Sequence, residues 1–539
     1  MNDGHAAATA SAAGMQAAGR GARRTAAGRA PSAVTPLPAG FSVDMDPDTK
    51  TLSDGSLFGG SPGRVLRLTA AGHRVLAELQ AGPVRSAPAG ALARRLTDAG
   101  LAHPVPPALP ADGTPAGGPA LSVTVIIPVR DRAAMLDRCL AALGREYPVV
   151  VVDDGSADPR SVADVVARHG AALCRRERSG GPAAARNAGL AAVRTELVAF
   201  LDSDCVPPAG WIGALAAHLA DPLVGAAAPR VVEPSLSSSP GLAGPGGRPA
   251  AAARYAAVCG SLDLGRRPAR VAPGTRISYV PTAALLVRRA ALDGAGTGGE
   301  VFDPALRYGE DVDLVWRLHN AGWRIRYAPA VEVPHQGPSG WPGLLGRRFR
   351  YGTSAAPLAR RHPASMAPLV LQPWPTAATA ALLARKPLLA LGAAAGGWLD
   401  LTALLRRAGI PADGAPAATV TAVTQTWLGV GRYATQFAAP LLCAVLVAPG
   451  GRTGFRRWGR RAAAASLLAG PALTAYRERK PDLDPVRFTL AHIADDVCYG
   501  AGVWVGCARE RTLLPVRPAI SWRPLGISRP PAERSEPDG

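Results

Sequence analysis

Two rhythms of apolar residues alternate along the middle of the chain. Short unbroken runs occur in "SVTVIIPVR" (Ser122–Arg130), "YPVVVVDDGSADP" (Tyr147–Pro159) and "LVAFLDSD" (Leu197–Asp204). Each is the right length for a strand buried on both faces. Between them the spacing turns helical. Met135, Leu136, Cys139, Leu140 and Leu143 share one face of "DRAAMLDRCLAALG", which closes at Gly144. A shorter helix fits "VADVVARHG" (Val162–Gly170), and a Gly-rich turn leads into a helix over "GGPAAARNAGLAAV" (Gly180–Val193). Strand and helix in alternation predict an α/β domain, with a parallel sheet and right-handed crossovers over these strands.

Upstream, residues 39–106 read as a small module. In "PGRVLRLTAAGHRVLAELQAG" (Pro62–Gly82), Val65, Leu66, Leu68, Val75 and Leu76 lie near helical spacing. Thr69 is placed to cap a helix starting at Ala70, with Gly82 to end it. "GALARRLTDAGLAHP" (Gly90–Pro104) predicts a second helix with Leu92, Leu96 and Ala99 on one face and Gly100 as its stop. Two short helices and an extended piece suggest a winged-helix-like module. A Pro/Gly linker follows over 107–120. The α/β domain is bounded at 121–355 and an apolar helical region at 356–515. Residues 1–38, rich in Ala, Gly and Arg, and residues 516–539 read as disordered tails; the first has no apolar core and cleavage site of a signal peptide.

In the apolar region, "ASMAPLVLQPWPTAATAALLA" (Ala364–Ala384) carries no charge and is flanked by Arg360, Arg361, Arg385 and Lys386. It is the one run that reaches a spanning length of about 20 residues, and its prolines argue against a single straight span. "PLLALGAAAGGWL" (Pro387–Leu399) and "ATQFAAPLLCAVLVAPG" (Ala434–Gly450) are shorter. Basic flanks suit an anionic membrane face. Three readings compete for these runs: interfacial or re-entrant helices, true spans, and a soluble helical domain. The expectation among them is a protein of the cell membrane, seated on its cytoplasmic face, with the catalytic domain cytoplasmic. Asp495 and Asp496 fall inside an apolar helical pattern and are expected to pair with arginines or to face the cleft.

Composition changes this picture little. The formal charge of +20 comes from arginine, since Lys50, Lys386 and Lys480 are the only lysines. A GC-rich coding sequence explains that excess. No zinc-finger spacing and no basic block interleaved with aromatics is present, so nucleic acid is not an expected partner. Seven cysteines, without a CxxC pair, suit structural thiols in a reducing compartment.

The chemistry lies just past the apolar runs, where open α/β sheets bind ligands. There stand Arg130 and Asp131, then Asp153 and Asp154, then Asp202 and Asp204. Like charges sharing one crevice need a counter-charge. A Mg2+ or Mn2+ ion on Asp202 and Asp204 supplies it and leaves positions open for diphosphate oxygens. Further on, Glu310 and Asp311 open a helix packed by Val312, Val315, Trp316 and Leu318. A carboxylate in that first turn can take the proton of an incoming hydroxyl.

The blocks "VIIPVRDR", "VVVDDGSADP", "GGPAAARNAG" and "VAFLDSDCVPPAGWI", in this order, resemble those of inverting family-2 nucleotide-sugar glycosyltransferases with the GT-A fold, a Rossmann-like mixed sheet. The resemblance implies that Pro128, Arg130 and Asp154, with Asp153 beside them, bind the donor's base and ribose. It places Arg186 and Asn187 in the donor cleft, Asp202 and Asp204 at metal and sugar diphosphate, and the base at Asp311, next to Glu310. It implies that His335, ending "VEVPH", lies near metal or diphosphate. "RRFRY" has the spacing of a Q-x-x-R-W block, with Arg347 for Gln and Tyr351 for Trp; Arg350 would pair with diphosphate and Tyr351 stack on a sugar. Arg130-Asp131 departs from the usual aromatic followed by Asn.

Adding "LSDGSLFGGSPGRVLRLTAAG", "GEDVDLVWRLHNAGW", "RYGTSAAPLARRHP" and "IADDVCYGAGVW", the chain is similar past residue 40 to the mycofactocin-system glycosyltransferases of actinobacteria. That resemblance implies glucose transfer from UDP-glucose onto a small peptide-derived redox cofactor, premycofactocin, building β-linked oligoglucose. It also likens the N-terminal module to winged-helix domains that bind precursor peptides. Two other readings stand beside it: a membrane-associated polysaccharide or lipid-linked transferase with the same core, and a non-catalytic sugar-nucleotide-binding scaffold.

Overall fold

The computed structural model describes residues 35–107, 122–233, 250–296, 299–338, 340–407, 409–448, 454–521 and 526–528. Linker residues 108–120 and tail residues 1–34, 522–525 and 529–539 lie outside the described residues.

The N-terminal module runs β1 (Ser42–Met45), β2 (Lys50–Thr51), β3 (Leu57–Gly59), β4 (Arg64–Leu66), α1 (Ala70–Ala81), α2 (Ala87–Ala99) and β5 (Ala102–Val105). Thr69 caps α1, its side chain accepting from Gly72 N, and Gly100 ends α2 at φ 72°. Leu76, Leu79, Leu92 and Leu96 pack with Phe41 and Leu101. Two expectations need correcting. Val65 and Leu66 belong to β4, because that segment pairs antiparallel with β3 before the helix begins. Leu37 is buried in the module's core, so the first tail ends before residue 38.

The α/β domain contains β6 (Val123–Val129), α3 (Ala133–Leu143), β7 (Val149–Asp154), α4 (Pro159–His169), β8 (Ala172–Arg176), α5 (Gly181–Ala192), β9 (Leu197–Leu201), α6 (Trp211–Ala216), β10 (Val224–Val232), α7 (Ala251–Cys259), β11 (Ala269–Val271), β12 (Ala284–Arg288), α8 (Arg289–Ala295), α9 (Glu310–Asn320) and β13 (Arg324–Pro334). Its sheet is ordered β11-β13-β10-β12-β9-β6-β7-β8. β9, β6, β7 and β8 are parallel, while β12 runs antiparallel between β9 and β10. The sheet is therefore mixed. Ile126 faces one core layer and Val125 and Ile127 the other, the alternation of a strand covered on both sides.

The module docks on the far edge of this sheet. Arg94 makes a bidentate, buried ion pair with Asp221 at 2.7 Å. Arg324 on β13 grips Asp98 at 2.7 and 2.5 Å.

The C-terminal part holds α10 (Trp341–Thr353), α11 (Ala355–Arg361), β14 (Val370–Leu371), α12 (Pro373–Leu383), α13 (Pro387–Arg407), α14 (Ala415–Val447), α15 (Gly454–Arg479), α16 (Pro485–Glu510), β15 (Ala519–Ile520) and β16 (Gly526–Ser528). The apolar run 364–384 is not a span: only Pro373–Leu383 is helical, and the preceding residues form β14, which pairs with β15. Among the described residues, the helices long and apolar enough to cross a membrane are α13 and α14. The second tail also gains structure, since β15 and β16 pair with β14 and β4.

Helix α16 folds back on the α/β domain. Cβ atoms placed on Gly352 and Gly502 would lie 2.1 Å from Tyr499 O and 2.0 Å from Phe349 O. Glycine thus lets the α10 and α16 backbones touch. Asp495 meets Arg348 at 2.9 Å, and Asp496 accepts from Gln436 at 2.8 Å beside Arg432. Of the two readings for these acids, the pairing with arginines is the one observed.

Candidate active site

The carboxyl ends of β6, β7 and β9 and the end of β13 meet at one crevice. At the end of β7 both acids are engaged. Asp153 accepts from Ser156 N at 2.9 Å and pairs with Arg175. Asp154 accepts from Ser179 Oγ at 2.8 Å, Gly180 N at 3.1 Å and Gly181 N at 2.8 Å, and pairs with Arg176. Burial alone would raise the Asp154 carboxyl; the donors around it outweigh that and hold it below the usual carboxylate range. Arg130 reaches Ser179 Oγ at 3.0 Å, on the same lip, and Pro128 is half-buried beneath it.

The end of β9 is different. Asp202, Asp204 and His335 bring one ligand atom each within 4.8 Å of one another. His335 arrives because β13 pairs with β10 up to Pro334 and His335 N then donates to Val232 O. Asp204 Oδ2 takes Arg132 Nη1 at 2.5 Å. Its buried Oδ1 has no hydrogen-bond partner, although His335 Nε2 lies 3.3 Å away. Burial pushes the Asp204 carboxyl up, His335 opposes this and the neighbouring Asp202 adds to it. An orphaned carboxylate oxygen beside a second carboxylate and an imidazole fits a divalent cation.

Arg186 ties this cluster to the opposite wall. It donates to Asp202 Oδ1 and Glu310 Oε1, both at 2.8 Å, and is buried. Its helix α5 lies close to β6 because of Gly189, where a Cβ would come 2.5 Å from Ile126 Cγ2. Glu310 opens α9, with Gly309 at φ 82° just before it. Asp311 follows, half-buried, with Oδ1 accepting from Val312 N at 2.8 Å. Burial, reinforced by the charge on Glu310, pushes the Asp311 carboxyl to about 7.

Helix α10 adds a third wall. Tyr351 stands edge-on to Tyr308, with ring centroids 6.2 Å apart. Burial raises the Tyr351 hydroxyl to about 12, as do the charges on Asp311, Asp202 and Glu310. Arg347 is buried and bonded to Glu233 at 3.1 Å. Arg350, on the same helix, is exposed. One expectation is corrected. Asn187 does not present its amide to the cleft: it donates to Phe302 O at 2.7 Å and accepts from Phe302 N at 2.9 Å, clamping the loop before α9.

Comparison with known proteins follows this geometry. The chain matches the family models "Glycosyl transferase family 2" over residues 124–243 and "Glycosyl transferase family group 2" over residues 197–448. A pre-mycofactocin glycosyltransferase of Mycobacterium tuberculosis is 38% identical over 510 residues, covering 90% of this chain and 99% of its own. The chain belongs to the mycofactocin-system glycosyltransferases, within glycosyltransferase family 2. The glycosyltransferase AglE of Haloferax volcanii is 33% identical over 17% of this chain and 33% of its own. A mannosyltransferase from Pyrobaculum calidifontis, solved with GDP-Man and Mn2+, is 19% identical with a TM-score of 0.39, covering 70% of this chain and 86% of its own.

In this family-2 glycosyltransferase the sheet brings Asp202, Asp204 and His335 together, and Arg186 links Asp202 to Glu310, which precedes Asp311. It adds residues that sequence reasoning missed: Arg132 on Asp204, Glu233 on Arg347, and Arg348 with its guanidinium 5.0 Å from the Tyr499 ring centre. Tyr279 joins them, its hydroxyl raised by burial and by the nearby Asp311 charge. Arg132 lies within the "VIIPVRDR" block, next to two residues already singled out. Arg348 likewise stands inside "RRFRY", next to Arg347. Glu233 and Tyr279 come from segments remote in sequence, and no local pattern marks them.

Proposed function

We propose that this glycosyltransferase moves glucose from UDP-glucose to a hydroxyl of premycofactocin, inverts the anomeric centre, and extends the product as β-linked oligoglucose. The reading is carried by one observation: Asp202, Asp204 and His335 stand across Arg186 from Glu310, next to Asp311, in a chain similar over 90% of its length to a pre-mycofactocin glycosyltransferase.

Asp202, Asp204 and His335 are the residues that would hold Mg2+ or Mn2+, and the imidazole among them favours Mn2+. Bound there, the cation supplies positive charge for the departing diphosphate. Asp311 accepts a hydrogen bond from the acceptor hydroxyl and takes its proton as the new C–O bond forms. The bond from the anomeric carbon to the diphosphate oxygen breaks on the opposite side, and its electron pair leaves with UDP. One displacement turns an α-linked donor into a β-linked product. Arg186 fixes Glu310, beside the base, and Asp202 in one rigid unit. Pro128 and Arg130, on the lip over Asp154, face the nucleoside, and Tyr351 and Tyr308 offer ring surface to a sugar.

We place the enzyme on the cell membrane with the catalytic domain cytoplasmic. Leu388, Leu389, Leu391 and Leu399 of α13 and Leu441 and Val447 of α14 are exposed, which suits lipid contact. All seven cysteines are unpaired, as a reducing compartment requires.

The test incubates purified enzyme with UDP-glucose, Mn2+ and premycofactocin and follows product mass. Successive gains of one hexose are expected. Hydrolysis of UDP-glucose without transfer, or transfer only to a lipid carrier, overturns the assignment.

A further inference from the structure

Two arginines touch the candidate metal carboxylates, and they do so in opposite ways. Arg186 is buried, with its side chain 4% exposed, and is bonded on both sides by Asp202 and Glu310. It has nowhere to go. Arg132 has a side chain 53% exposed and reaches from solvent onto a carboxylate that is 9% exposed. Asp204 is the one acid that Arg132 contacts among the described residues. Its backbone is anchored close by. The preceding Asp131 N donates to Ser156 Oγ at 3.0 Å, and Asp131 Oδ1 accepts from Ala157 N at 2.7 Å. The anchor is the turn after β7, on the nucleotide side of the crevice.

We propose that Arg132 is a movable counter-charge, covering Asp204 until the divalent cation arrives and then turning to the diphosphate of the donor. This rests on the metal reading above. The reasons are steric and electrostatic. Arg132 Nη1 occupies Asp204 Oδ2, the oxygen next to the orphaned Oδ1, so a cation taking both oxygens must displace it. A guanidinium and a doubly charged ion on one carboxylate repel each other. Once displaced, the arginine remains tethered at the mouth of the cleft, where a planar fork pairs bidentately with phosphate oxygens. A second cross-link places α3 against the same loop: Arg138 donates to Gln336 Oε1 at 2.5 Å, and Gln336 N donates to Asp204 O at 2.9 Å. The helix that carries Arg132 is thus held in register with the cation ligands while the arginine side chain itself stays free to swing.

The test measures binding, not turnover. Mn2+ affinity is read by electron paramagnetic resonance without nucleotide, and UDP affinity by calorimetry at saturating Mn2+. For Arg132→Ala the expected result is a split: Mn2+ alone binds about tenfold more tightly, and UDP binds about tenfold more weakly. Arg132→Lys, which keeps a charge but not the fork, should leave Mn2+ affinity near that of the unaltered protein and still weaken UDP. If Arg132→Ala weakens Mn2+ binding, the arginine merely holds Asp204 in place and the proposal fails. If UDP affinity is unchanged, its second role fails. An unaltered chain that binds no Mn2+ overturns the metal site itself along with this proposal, whereas loss of the split alone overturns only this proposal.

Discussion

The two acid pairs that close β7 and β9 are alike in sequence and opposite in state. Asp153 and Asp154 are wrapped by Ser156, Ser179, Gly180, Gly181, Arg175 and Arg176. Asp204, two residues past Asp202, keeps a buried oxygen with no hydrogen bond. A satisfied buried carboxylate stabilises a loop; an unsatisfied one costs stability until a ligand comes. The difference separates scaffold from chemistry better than residue type does.

Substitutions can break or sharpen this contrast. The largest effect is expected at Asp204. Asp204→Ala should abolish Mn2+ binding and lower transfer by about a thousandfold or more, yet leave the melting temperature unchanged or raised. A carboxylate whose folded pKa is raised opposes folding at neutral pH, so its removal does not destabilise. A clear drop in melting temperature would erase the distinction. Asp311→Asn should lower kcat by about a hundred- to ten-thousandfold while UDP affinity stays within about twofold, measured by calorimetry; loss of UDP binding would move Asp311 from base to donor site. Asp154→Ala should do the reverse of Asp204→Ala, lowering unfolding free energy by about 3 kcal/mol, read from urea denaturation.

A smaller and graded effect is expected from pH. Asp311 must be ionised to act as base, and its carboxyl lies at about 7. Turnover should fall about tenfold per pH unit below that value and level off above it. A midpoint near that of an ordinary Asp would assign the proton transfer elsewhere. The smallest contrast lies within one helix: Arg350→Ala should change kcat/KM less than about twofold, whereas Arg348→Ala, which breaks the contact with Asp495, should lower it about tenfold or more.

What was readable from sequence was what neighbouring residues decide. β6, α3, β7, α5 and β9 follow from runs of adjacent apolar residues, and Thr69, Gly82 and Gly100 bracket their helices because capping acts over one turn. β8 was missed because its residues are mostly exposed and carry arginines, as an edge strand permits. β12 and β11 gain their places only by pairing with β9 and β13, long-range partners that no local pattern reveals. The wall of Arg348, Tyr499 and Asp495 depends on α16 returning across the chain.

The grip of Arg94 on Asp221 and of Arg324 on Asp98 reaches across the sequence without relying on the peptide that joins the module to the catalytic domain. A protease cut within 108–121 should therefore yield two fragments that elute together on a sizing column. They should separate only when substitutions such as Asp221→Ala and Asp98→Ala together unlock both grips.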